Sequence, residues 1–359
     1  MPGHFPATST PLHGGPDADG IAVFDFSTNS HAGGPCPAAL QAVQAADATR
    51  YPDPAYAALR QQLAAFHGVA PQRVVLAASA SEFIHRITSL AAQRGAAQVG
   101  VPQYSYGDYA HAAEVRALAV LRAGQGPAAG GLAWACEPSS PLGLSDPAVR
   151  VWREASGASG ADIAGPALRV LDCAYVPLRL DPPGAWAGAP PAQLPAHCWQ
   201  LWTPNKALGL TGVRAAYAIA PPGDEALARE LTGLAASWPV GAHGVAMLQA
   251  WVQPATQHWL VHSLDSLRAW KTRQQALCTD LGWTVHPGSL ANYFCAQPVC
   301  GTLQGELAAL RERGIKLRDT TSFGLPGSVR LGVLAPAAQD ALRSAWQAVR
   351  RILPAPAAI

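Results

Sequence analysis

The sequence contains little charge of either sign. Only 13% of its 359 residues are charged and 49% are hydrophobic, which excludes a coiled coil and a charged disordered chain. The 25 basic and 23 acidic side chains leave a net charge of +2, so the excess of positive charge typical of nucleic-acid-binding proteins is missing. Lysine is especially scarce, because three of the 25 basic residues are lysines and the other 22 are arginines. Each lysine is therefore a candidate for a specific role.

The sequence also lacks the patterns of secreted, zinc-binding and membrane-spanning proteins. Its seven cysteines are odd in number and include no C-x-x-C pair, so we expect neither a disulfide framework nor a metal site. No apolar run reaches about 18 residues, the length that spans a bilayer. The N-terminus has no basic stretch followed by an apolar one, so a secretory signal is not indicated. We expect a cytoplasmic protein with no membrane or nucleic-acid partner.

Three common catalytic and nucleotide-binding motifs are absent as well. The sequence has no G-x-x-x-x-G-K-[ST] phosphate loop, no G-x-S-x-G nucleophile elbow and no H-E-x-x-H helix. These absences remove the commonest nucleotide-binding, serine-hydrolase and zinc-protease interpretations.

Alternating strands and helices are predicted from Val74 onward. Short apolar runs such as VVLAA, QVGVP and GLAWACE alternate with longer amphipathic stretches, a pattern typical of βαβ units whose parallel sheet is covered on both faces. After Trp238 the pattern changes to long helical periodicity and then to a small α+β unit. We therefore divide the chain into a loose N-terminal arm (1–20), a segment packing near the small domain (21–49), a large α/β domain (50–240) and a small C-terminal domain (241–359).

The three lysines differ in their surroundings. Lys271 lies in a helical pattern and Lys316 in a short strand, and we predict exposed positions for both. Lys206 directly follows an apolar strand and precedes a glycine-containing turn. Desolvation favours the neutral form of a lysine in such a place, and a Schiff base is built from the neutral amine. Arg214, eight residues further on, carries the charge needed to hold a phosphate.

The segment around Lys206 carries a recognisable motif. It reads T-x-x-K-x-x-x-L-x-G-x-R from Thr203 to Arg214, which resembles the cofactor-lysine motif of the fold-type I pyridoxal-phosphate (PLP) enzymes in the aminotransferase class I/II superfamily. The segment RYPDPAYAALRQQLAAFHGVAPQRVVLAASASEFI at 50–84 is similar to the family's R-Y-P-D-P segment and to the amphipathic helix, strand and phosphate-binding turn that follow it. The sequences PQYSY, LDCAY and SVRLGV then occur in the family's order. The resemblance extends over residues 21–352, nearly the whole chain.

This resemblance implies a fold, a cofactor and an assembly. The fold is the α/β, aspartate aminotransferase-like fold of PLP-dependent transferases, with a mainly parallel seven-stranded sheet in the large domain and a small α+β C-terminal domain. The cofactor is pyridoxal 5'-phosphate, an electron sink for reactions at the α-carbon of an amino-acid substrate. The family's shared active sites lead us to expect a homodimer.

The resemblance also assigns roles to residues around the cofactor. Lys206 would form the Schiff base and carry a proton, Asp172 in LDCAY would face the pyridine nitrogen, and Tyr175 would hydrogen-bond the phenolic oxygen. The other expected contacts are Tyr104 stacked on the ring, Ser140 near the phenolic oxygen, and Ala80, Ser81, Thr203 and Arg214 around the phosphate, with Tyr51 reaching the phosphate of the other subunit.

Three residues are expected to bind the substrate. Arg330 in SVRLGV matches the arginine that pairs with the substrate α-carboxylate through two parallel hydrogen bonds. Arg318 matches a position that contacts the substrate phosphate in members with phosphorylated substrates, and Asn29 is expected to line the same pocket. An exposed charge at Arg318 and a turn residue at Asn29 are equally good interpretations.

Two reactions and one non-catalytic role remain open. The opening FDFSTNSHAGGPCPAAL at 24–40 resembles that of the threonine-phosphate decarboxylase group of cobalamin biosynthesis, a lyase group closely related to histidinol-phosphate aminotransferases. We therefore expect decarboxylation of L-threonine O-3-phosphate, with histidinol-phosphate-type transamination as the alternative. The family's two asparagines are Ser139 and Ser140 here, so a degenerate relative that binds the cofactor or a partner without turnover is the third hypothesis.

Overall fold

The computed structural model describes residues 14–122, 130–155, 168–182 and 184–352, and within these ranges the chain forms thirteen strands and ten α-helices. The strands are β1 (Phe24–Asp25), β2 (Val74–Ala77), β3 (Gln98–Gly100), β4 (Ala119–Leu121), β5 (Leu132–Cys136), β6 (Leu168–Asp172), β7 (Trp199–Trp202), β8 (Ala216–Ile219), β9 (Thr284–Val285), β10 (Tyr293–Gln297), β11 (Ile315–Lys316), β12 (Arg318–Asp319) and β13 (Val329–Gly332). The helices are α1 (Pro37–Gln44), α2 (Ala57–His67), α3 (Ala80–Gln93), α4 (Gly107–Glu114), α5 (Pro147–Ala155), α6 (Glu225–Gly233), α7 (Ala242–Trp251), α8 (Pro254–Asp280), α9 (Leu303–Glu312) and α10 (Pro336–Ile352). No helix in the described ranges is both long enough and apolar enough to cross a bilayer.

Seven strands form the large sheet, in the order β2-β8-β7-β6-β5-β3-β4. All neighbours are parallel except β8, which is antiparallel to both β7 and β2. The strands β2, β5 and β8 are buried along their whole length. Because both faces of the sheet are covered, these strands have uninterrupted apolar sequences. The prediction of a mainly parallel seven-stranded sheet is confirmed.

Two hydrophobic cores belong to the large sheet, and a third fills the small domain. One core of the large domain includes Leu63 of α2, Met247 of α7 and Leu267 of α8. The third core includes Leu277, further along α8. Helix α8 therefore contributes side chains to a core of the large domain and to the core of the small domain, and the boundary at residue 241 stays a prediction. Helical periodicity identifies the apolar face of α7 but does not tell which core that face enters.

The N-terminal segment contacts both domains. The small domain contains an antiparallel sheet in the order β12-β13-β10-β9. Beside it, β1 pairs in parallel with β11, whereas α1 packs against α7 of the large domain. The residues between β1 and α1 therefore run along the junction of the two domains.

The described part of the N-terminal arm is held by ion pairs. Asp17 pairs with Arg311 (2.8 Å) and Lys316 (2.7 Å), and these two cations hold the pKa of its carboxyl well below the usual range. Arg311 also donates to the carbonyl oxygen of Gly20 (3.0 Å). Residues 14–20 are therefore attached to the small domain, where the sequence suggested a loose arm; residues 1–13 lie outside the described ranges.

Lys271 is buried, so the prediction of an exposed side chain was wrong. Its ammonium group donates to the carbonyl oxygens of Ser289 (2.5 Å) and Ala291 (2.7 Å), and burial lowers its pKa to about 8. The helical pattern of α8 could not reveal this, because both acceptors come from a loop that is 18 to 20 residues away in sequence.

Candidate active site

A cavity of about 1290 Å³ lies at the edge of the large sheet where β5, β6 and β7 end. Its walls come from the ends of these strands and the loops after them, the start of α3, the small domain and the N-terminal segment. Ligands of open α/β sheets bind at this edge. Eleven of the thirteen predicted site residues line the cavity, namely Asn29, Ala80, Ser81, Ser140, Asp172, Tyr175, Thr203, Lys206, Arg214, Arg318 and Arg330.

Asp172 is the last residue of β6 and is buried in the cavity wall. Its Oδ2 accepts a hydrogen bond from the Tyr109 hydroxyl (2.6 Å), and its Oδ1 accepts one from the Ala174 N–H (2.9 Å). Burial raises the pKa of the carboxyl, while the Tyr109 hydrogen bond, the Lys206 charge and the Ala174 hydrogen bond act in the opposite direction. Two fixed donors thus orient this carboxyl group and favour its ionised form.

Lys206 lies in the turn that follows β7. Its backbone carbonyl accepts a hydrogen bond from the His31 N–H (2.9 Å), and its Nζ lies 5.6 Å from the centre of the Tyr175 ring. Gly209, in the same turn, has a φ of +68°, and a Cβ atom there would come within 2.8 Å of the Gly34 carbonyl oxygen. The N-terminal segment therefore packs directly on the backbone of the Lys206 turn, and glycine is required for this close approach.

Tyr175 presents its hydroxyl to the N-terminal segment. Asn29 Nδ2 donates to this hydroxyl (3.3 Å), and the Tyr175 ring meets the Tyr293 ring at 4.7 Å and 66°. The Asn29 amide oxygen is buried and has no hydrogen-bond partner among the described residues. A polar side chain from outside the large sheet therefore stands beside the Tyr175 hydroxyl.

The N-terminus of α3 supplies an anion-binding wall. Ser79 caps the helix through its side chain, and Ala80 and Ser81 follow as its first residues. First-turn N–H groups and the helix dipole favour an anion at this position. Arg214 is exposed and lines the same cavity, and the buried Thr203 Oγ1 lacks a partner in the part of the chain that is described.

Two buried arginines stand opposite each other in the small-domain wall. Arg318 and Arg330 are register partners on β12 and β13, and their guanidinium carbons lie 4.7 and 5.1 Å from the centre of the Phe323 ring. Arg330 donates to the Ser140 hydroxyl (3.1 Å) and to the Ser27 carbonyl oxygen (3.1 Å). Burial and the Arg330 charge lower the pKa of Arg318 to about 10. This end of the cavity is therefore strongly positive and suits an anionic ligand.

The comparison with protein families decides the classification of the chain. The profile of aminotransferase class I and II matches residues 21–124 and 168–349, which is well over half of the sequence. The chain belongs to this family. Because PLP is the cofactor of class I and II aminotransferases, the protein is a PLP-dependent enzyme, as the sequence predicted.

Individual relatives agree with this assignment. The histidinol-phosphate aminotransferase of Ruegeria pomeroyi is 27% identical over 343 residues, which cover 88% of this chain and 88% of that protein. The structure of histidinol-phosphate aminotransferase from Sinorhizobium meliloti in complex with pyridoxal-5'-phosphate has a TM-score of 0.73 at 22% identity, covering 93% and 92% of the two chains. L-threonine-O-3-phosphate decarboxylase from Porphyromonas gingivalis has a TM-score of 0.70 at 20% identity, covering 92% and 100%. These two structures show that the fold is shared.

The cavity of this aminotransferase family member fits the family's cofactor. Five buried polar atoms of cavity-lining residues have no partner within the described residues: Asn29 Oδ1, Ser105 Oγ, Thr203 Oγ1, Asn205 Oδ1 and Arg330 Nε. Buried polar atoms are costly when they stay unpaired, so native proteins pair them with a ligand, water or other protein groups. The same cavity contains a lysine, a buried carboxyl group and a helix N-terminus, which are the groups that PLP requires.

The aromatic residue after β3 in the cavity wall is Tyr106 and not Tyr104. The Tyr106 hydroxyl lies 3.3 Å from Ser81 Oγ, and its ring meets the Tyr109 ring edge-on at 5.8 Å. Tyr104 lies beside Gly324 of the small domain. Both tyrosines occur in the short sequence Y-S-Y, so the motif alone did not distinguish them. We therefore move the predicted ring-stacking role from Tyr104 to Tyr106.

Tyr51 lies outside the cavity of its own chain. Its side chain is 78% exposed and stacks on the Trp238 ring at 4.3 Å. Contact between Tyr51 and the cofactor phosphate of a second subunit stays a prediction, and so does the homodimer.

Tyr109 and His31 also line the cavity, and neither was predicted from the sequence. Tyr109 follows Tyr106 by three residues at the start of α4, a spacing that places both on one side of a helical turn and was a usable signal. His31 is buried; its Nδ1 accepts from the Gly33 N–H (3.1 Å), so its Nε2 carries the proton and donates to the Ser263 hydroxyl (2.8 Å). Burial lowers its pKa to about 4. This neutral ring connects the N-terminal segment to α8, and no spacing rule would have found it.

Proposed function

We propose that this enzyme is an aminotransferase of the histidinol-phosphate type. The observation that carries the proposal is the pair formed by Arg318 and Arg330 in the cavity that also contains Lys206 and Asp172. An aminotransferase binds an amino donor and then an oxo acceptor at one site. Two adjacent guanidinium groups can hold the phosphate of one compound and the carboxylates of the other. The histidinol-phosphate aminotransferases among the relatives support this choice of reaction.

Lys206 and Asp172 have different roles: Lys206 acts at the substrate α-carbon, and Asp172 acts at the pyridine nitrogen of the cofactor. PLP, when bound, draws electrons away from the substrate α-carbon. Lys206 would hold the cofactor through its amine, and the same amine would move a proton to and from that α-carbon. Asp172, as an anion, keeps a proton on the pyridine nitrogen and so maintains the electron demand. Tyr175 and Asn29 hold the phenolic oxygen, which fixes the ring relative to Lys206.

The remaining residues bind and orient. The N-terminus of α3, Thr203 and Arg214 hold the cofactor phosphate, since they combine free N–H groups, a hydroxyl and a cation in one wall. Arg330 binds the α-carboxylate of glutamate or 2-oxoglutarate, and Arg318 binds the second anionic group, which is the other carboxylate of that compound or the phosphate of histidinol phosphate. Ser140 lies within hydrogen-bond distance of Arg330, so it orients that guanidinium in addition to lining the cofactor side.

Decarboxylation of L-threonine O-3-phosphate is the second candidate. This substrate has one carboxylate and one phosphate, so it also fits the two arginines. Its support is the N-terminal F-D-F-S-T-N sequence. Four residues of this sequence line the cavity, namely Asp25, Ser27, Thr28 and Asn29, and Asn29 Nδ2 donates to the Tyr175 hydroxyl. The two reactions use the same residues and differ in which bond to the α-carbon is aligned for cleavage.

One pair of assays separates the candidates. The PLP-loaded enzyme is incubated with L-histidinol phosphate and 2-oxoglutarate, and glutamate is measured; in parallel it is incubated with L-threonine O-3-phosphate, and carbon dioxide is measured. The proposal predicts glutamate formation that depends on 2-oxoglutarate. Formation of carbon dioxide without glutamate would contradict the aminotransferase proposal and support the decarboxylase.

The control is Lys206→Ala, which we expect to abolish both activities because it removes the amine to which we assign proton transfer at the α-carbon. A wild-type protein that binds PLP but forms neither product with these substrates would contradict both reactions and favour the degenerate, non-catalytic relative.

A further inference from the structure

The hydroxyl of Tyr109 is hydrogen-bonded to the carboxyl group that we place at the cofactor's pyridine nitrogen, and both residues line the cavity. Tyr109 is in the first turn of α4 and is fully buried. Its hydroxyl donates to Asp172 Oδ2 at 2.6 Å. Burial and the neighbouring Asp172 charge raise the pKa of the phenol well above its usual value. The hydroxyl therefore stays protonated and acts as a permanent donor.

The Tyr109 ring is fixed on two sides. It stacks on Trp134 of β5 with 4.5 Å between ring centres and 7° between planes. Its other neighbour is Tyr106, whose ring meets it edge-on at 5.8 Å and 85°. A ring held in this way cannot swing the hydroxyl away from Asp172 without breaking both contacts. Tyr109 thus contacts both Asp172, which we place at the pyridine nitrogen, and Tyr106, which we place against the face of the cofactor ring.

We propose that Tyr109 is a positioning residue that keeps Asp172 ionised and aimed at the pyridine nitrogen of the cofactor. The inference rests on the proposed function, because it requires PLP in the cavity. Donation to a carboxylate stabilises its charged form relative to its protonated form. Without the Tyr109 hydroxyl, Asp172 would bind a proton more tightly, and the proton shared with the pyridine nitrogen would move toward the carboxyl group.

The chain offers a matched control for removing this hydroxyl. Tyr217 is also fully buried, and its hydroxyl also takes part in hydrogen bonds, with Trp251 (3.0 Å) and His67 (2.9 Å). Tyr217 belongs to a different core from Tyr109 and does not line the cavity. Tyr217→Phe therefore reproduces the loss of a buried hydroxyl without touching Asp172.

The test compares Tyr109→Phe, Tyr217→Phe and wild type as holoenzymes. The dissociation constant for PLP is measured by quenching of tryptophan fluorescence, and protonation of the pyridine nitrogen is measured by NMR with cofactor labelled with ¹⁵N at that position. We expect Tyr109→Phe to weaken PLP binding by about tenfold to a hundredfold, the range for a lost hydrogen bond to a charged group. The ¹⁵N signal should shift toward the unprotonated nitrogen, and Tyr217→Phe should leave both quantities at the wild-type values.

Each result supports or overturns the inference. Equal PLP affinity and an equal ¹⁵N signal in Tyr109→Phe and Tyr217→Phe would overturn it while leaving the proposed function intact. A wild-type protein that binds no PLP would overturn the proposed function and the inference together. If Tyr109→Phe does not fold, Trp134→Phe is measured instead, because this change loosens the Tyr109 ring and keeps the Tyr109 hydroxyl. A smaller shift of the ¹⁵N signal in the same direction then supports the inference. The absence of any shift contradicts it.

Discussion

At the scale of single residues, the three lysines serve different purposes. Lys206 stands in the cavity beside Tyr175. Lys316 was predicted to be exposed, but its side chain is only 14% exposed; it forms an ion pair with Asp17 and donates to the Gly15 carbonyl oxygen. Lys271 is buried and donates to two backbone carbonyl groups. Its contribution is structural, because it ties α8 to the loop before β10.

Replacing Lys271 by methionine should destabilise the fold, because two buried carbonyl oxygens lose their donor while the apolar stem is kept. We expect a loss of about 2 to 4 kcal/mol in the free energy of unfolding. The matched change Lys316→Met removes a half-buried ion pair with Asp17 and a donor to the Gly15 carbonyl oxygen. Because Arg311 still pairs with Asp17, this change should cost less, about 1 kcal/mol. Urea unfolding of the two variants measures the difference. Equal losses in both variants would show that Lys271 is not the buried donor described above.

At the scale of secondary-structure elements, the turn after β7 depends on one glycine. Gly209→Ala places a side chain at a φ of +68° and within 2.8 Å of the Gly34 carbonyl oxygen. The left-handed conformation and the clash together should cost about 2 to 4 kcal/mol. The N-terminal segment should separate from the Lys206 backbone, so retention of PLP should fall as well.

Gly301→Ala is the control, since a Cβ atom there meets nothing within 4 Å and its φ is not positive. Thermal unfolding and PLP retention after gel filtration are measured for both variants. If Gly209→Ala retains PLP as well as Gly301→Ala does, the packing of the N-terminal segment does not support the Lys206 turn.

The end of α2 carries a histidine that must stay neutral in the folded protein. The Trp251 Nε1 donates to the Tyr217 hydroxyl, which in turn donates to His67 Nε2 (2.9 Å). Burial lowers the pKa of His67 to about 3. The unfolded chain, with a histidine pKa near 6.5, therefore binds a proton that the folded chain rejects, and stability must fall as the pH drops below about 6.5.

Between pH 7.5 and pH 5 this histidine should lower the free energy of unfolding by about 2 kcal/mol. His67→Gln cannot titrate, and its amide oxygen can still accept from Tyr217, so the fall in stability over this interval should be about 2 kcal/mol smaller in the variant. Urea unfolding at both pH values gives the comparison. Identical pH dependence in wild type and variant would refute the role assigned to His67.

At the scale of the whole molecule, an exposed aromatic pair marks the expected dimer contact. Tyr51 and Trp238 are 78% and 40% exposed and stack on each other, and Trp238 Nε1 donates to the Pro52 carbonyl oxygen. Exposed aromatic side chains are enriched at protein interfaces. We expect a homodimer in solution in which this pair is covered.

Trp238→Ser should shift the protein toward the monomer and weaken PLP retention, because Tyr51 loses its stacking partner. Val299→Ser is the control, since Val299 is 53% exposed in the small domain. Sedimentation velocity measures the oligomeric state of each variant. A wild-type monomer, or a Trp238→Ser variant that stays dimeric and retains PLP fully, would contradict this arrangement.

The sequence predicted the large sheet and most of the candidate site because both depend on local patterns. Apolar strands followed by polar residues placed Asp172, Lys206 and their neighbours at one edge of a parallel sheet. Contacts between distant segments were not predictable in the same way: the carbonyl acceptors of Lys271 come from another loop, and the core that α7 joins depends on packing. The choice between Tyr104 and Tyr106 likewise depended on which one the loop turns into the cavity.

The role of Lys206 is tested most directly by reduction of the PLP-loaded enzyme with borohydride, followed by mass spectrometry of its peptides. The chain has three lysines, so the attachment point is read without ambiguity. We predict one phosphopyridoxyl group per chain, on Lys206, and none in Lys206→Ala. A label on Lys271 or Lys316, or no label in a protein loaded with PLP, would contradict the assignment of the active site.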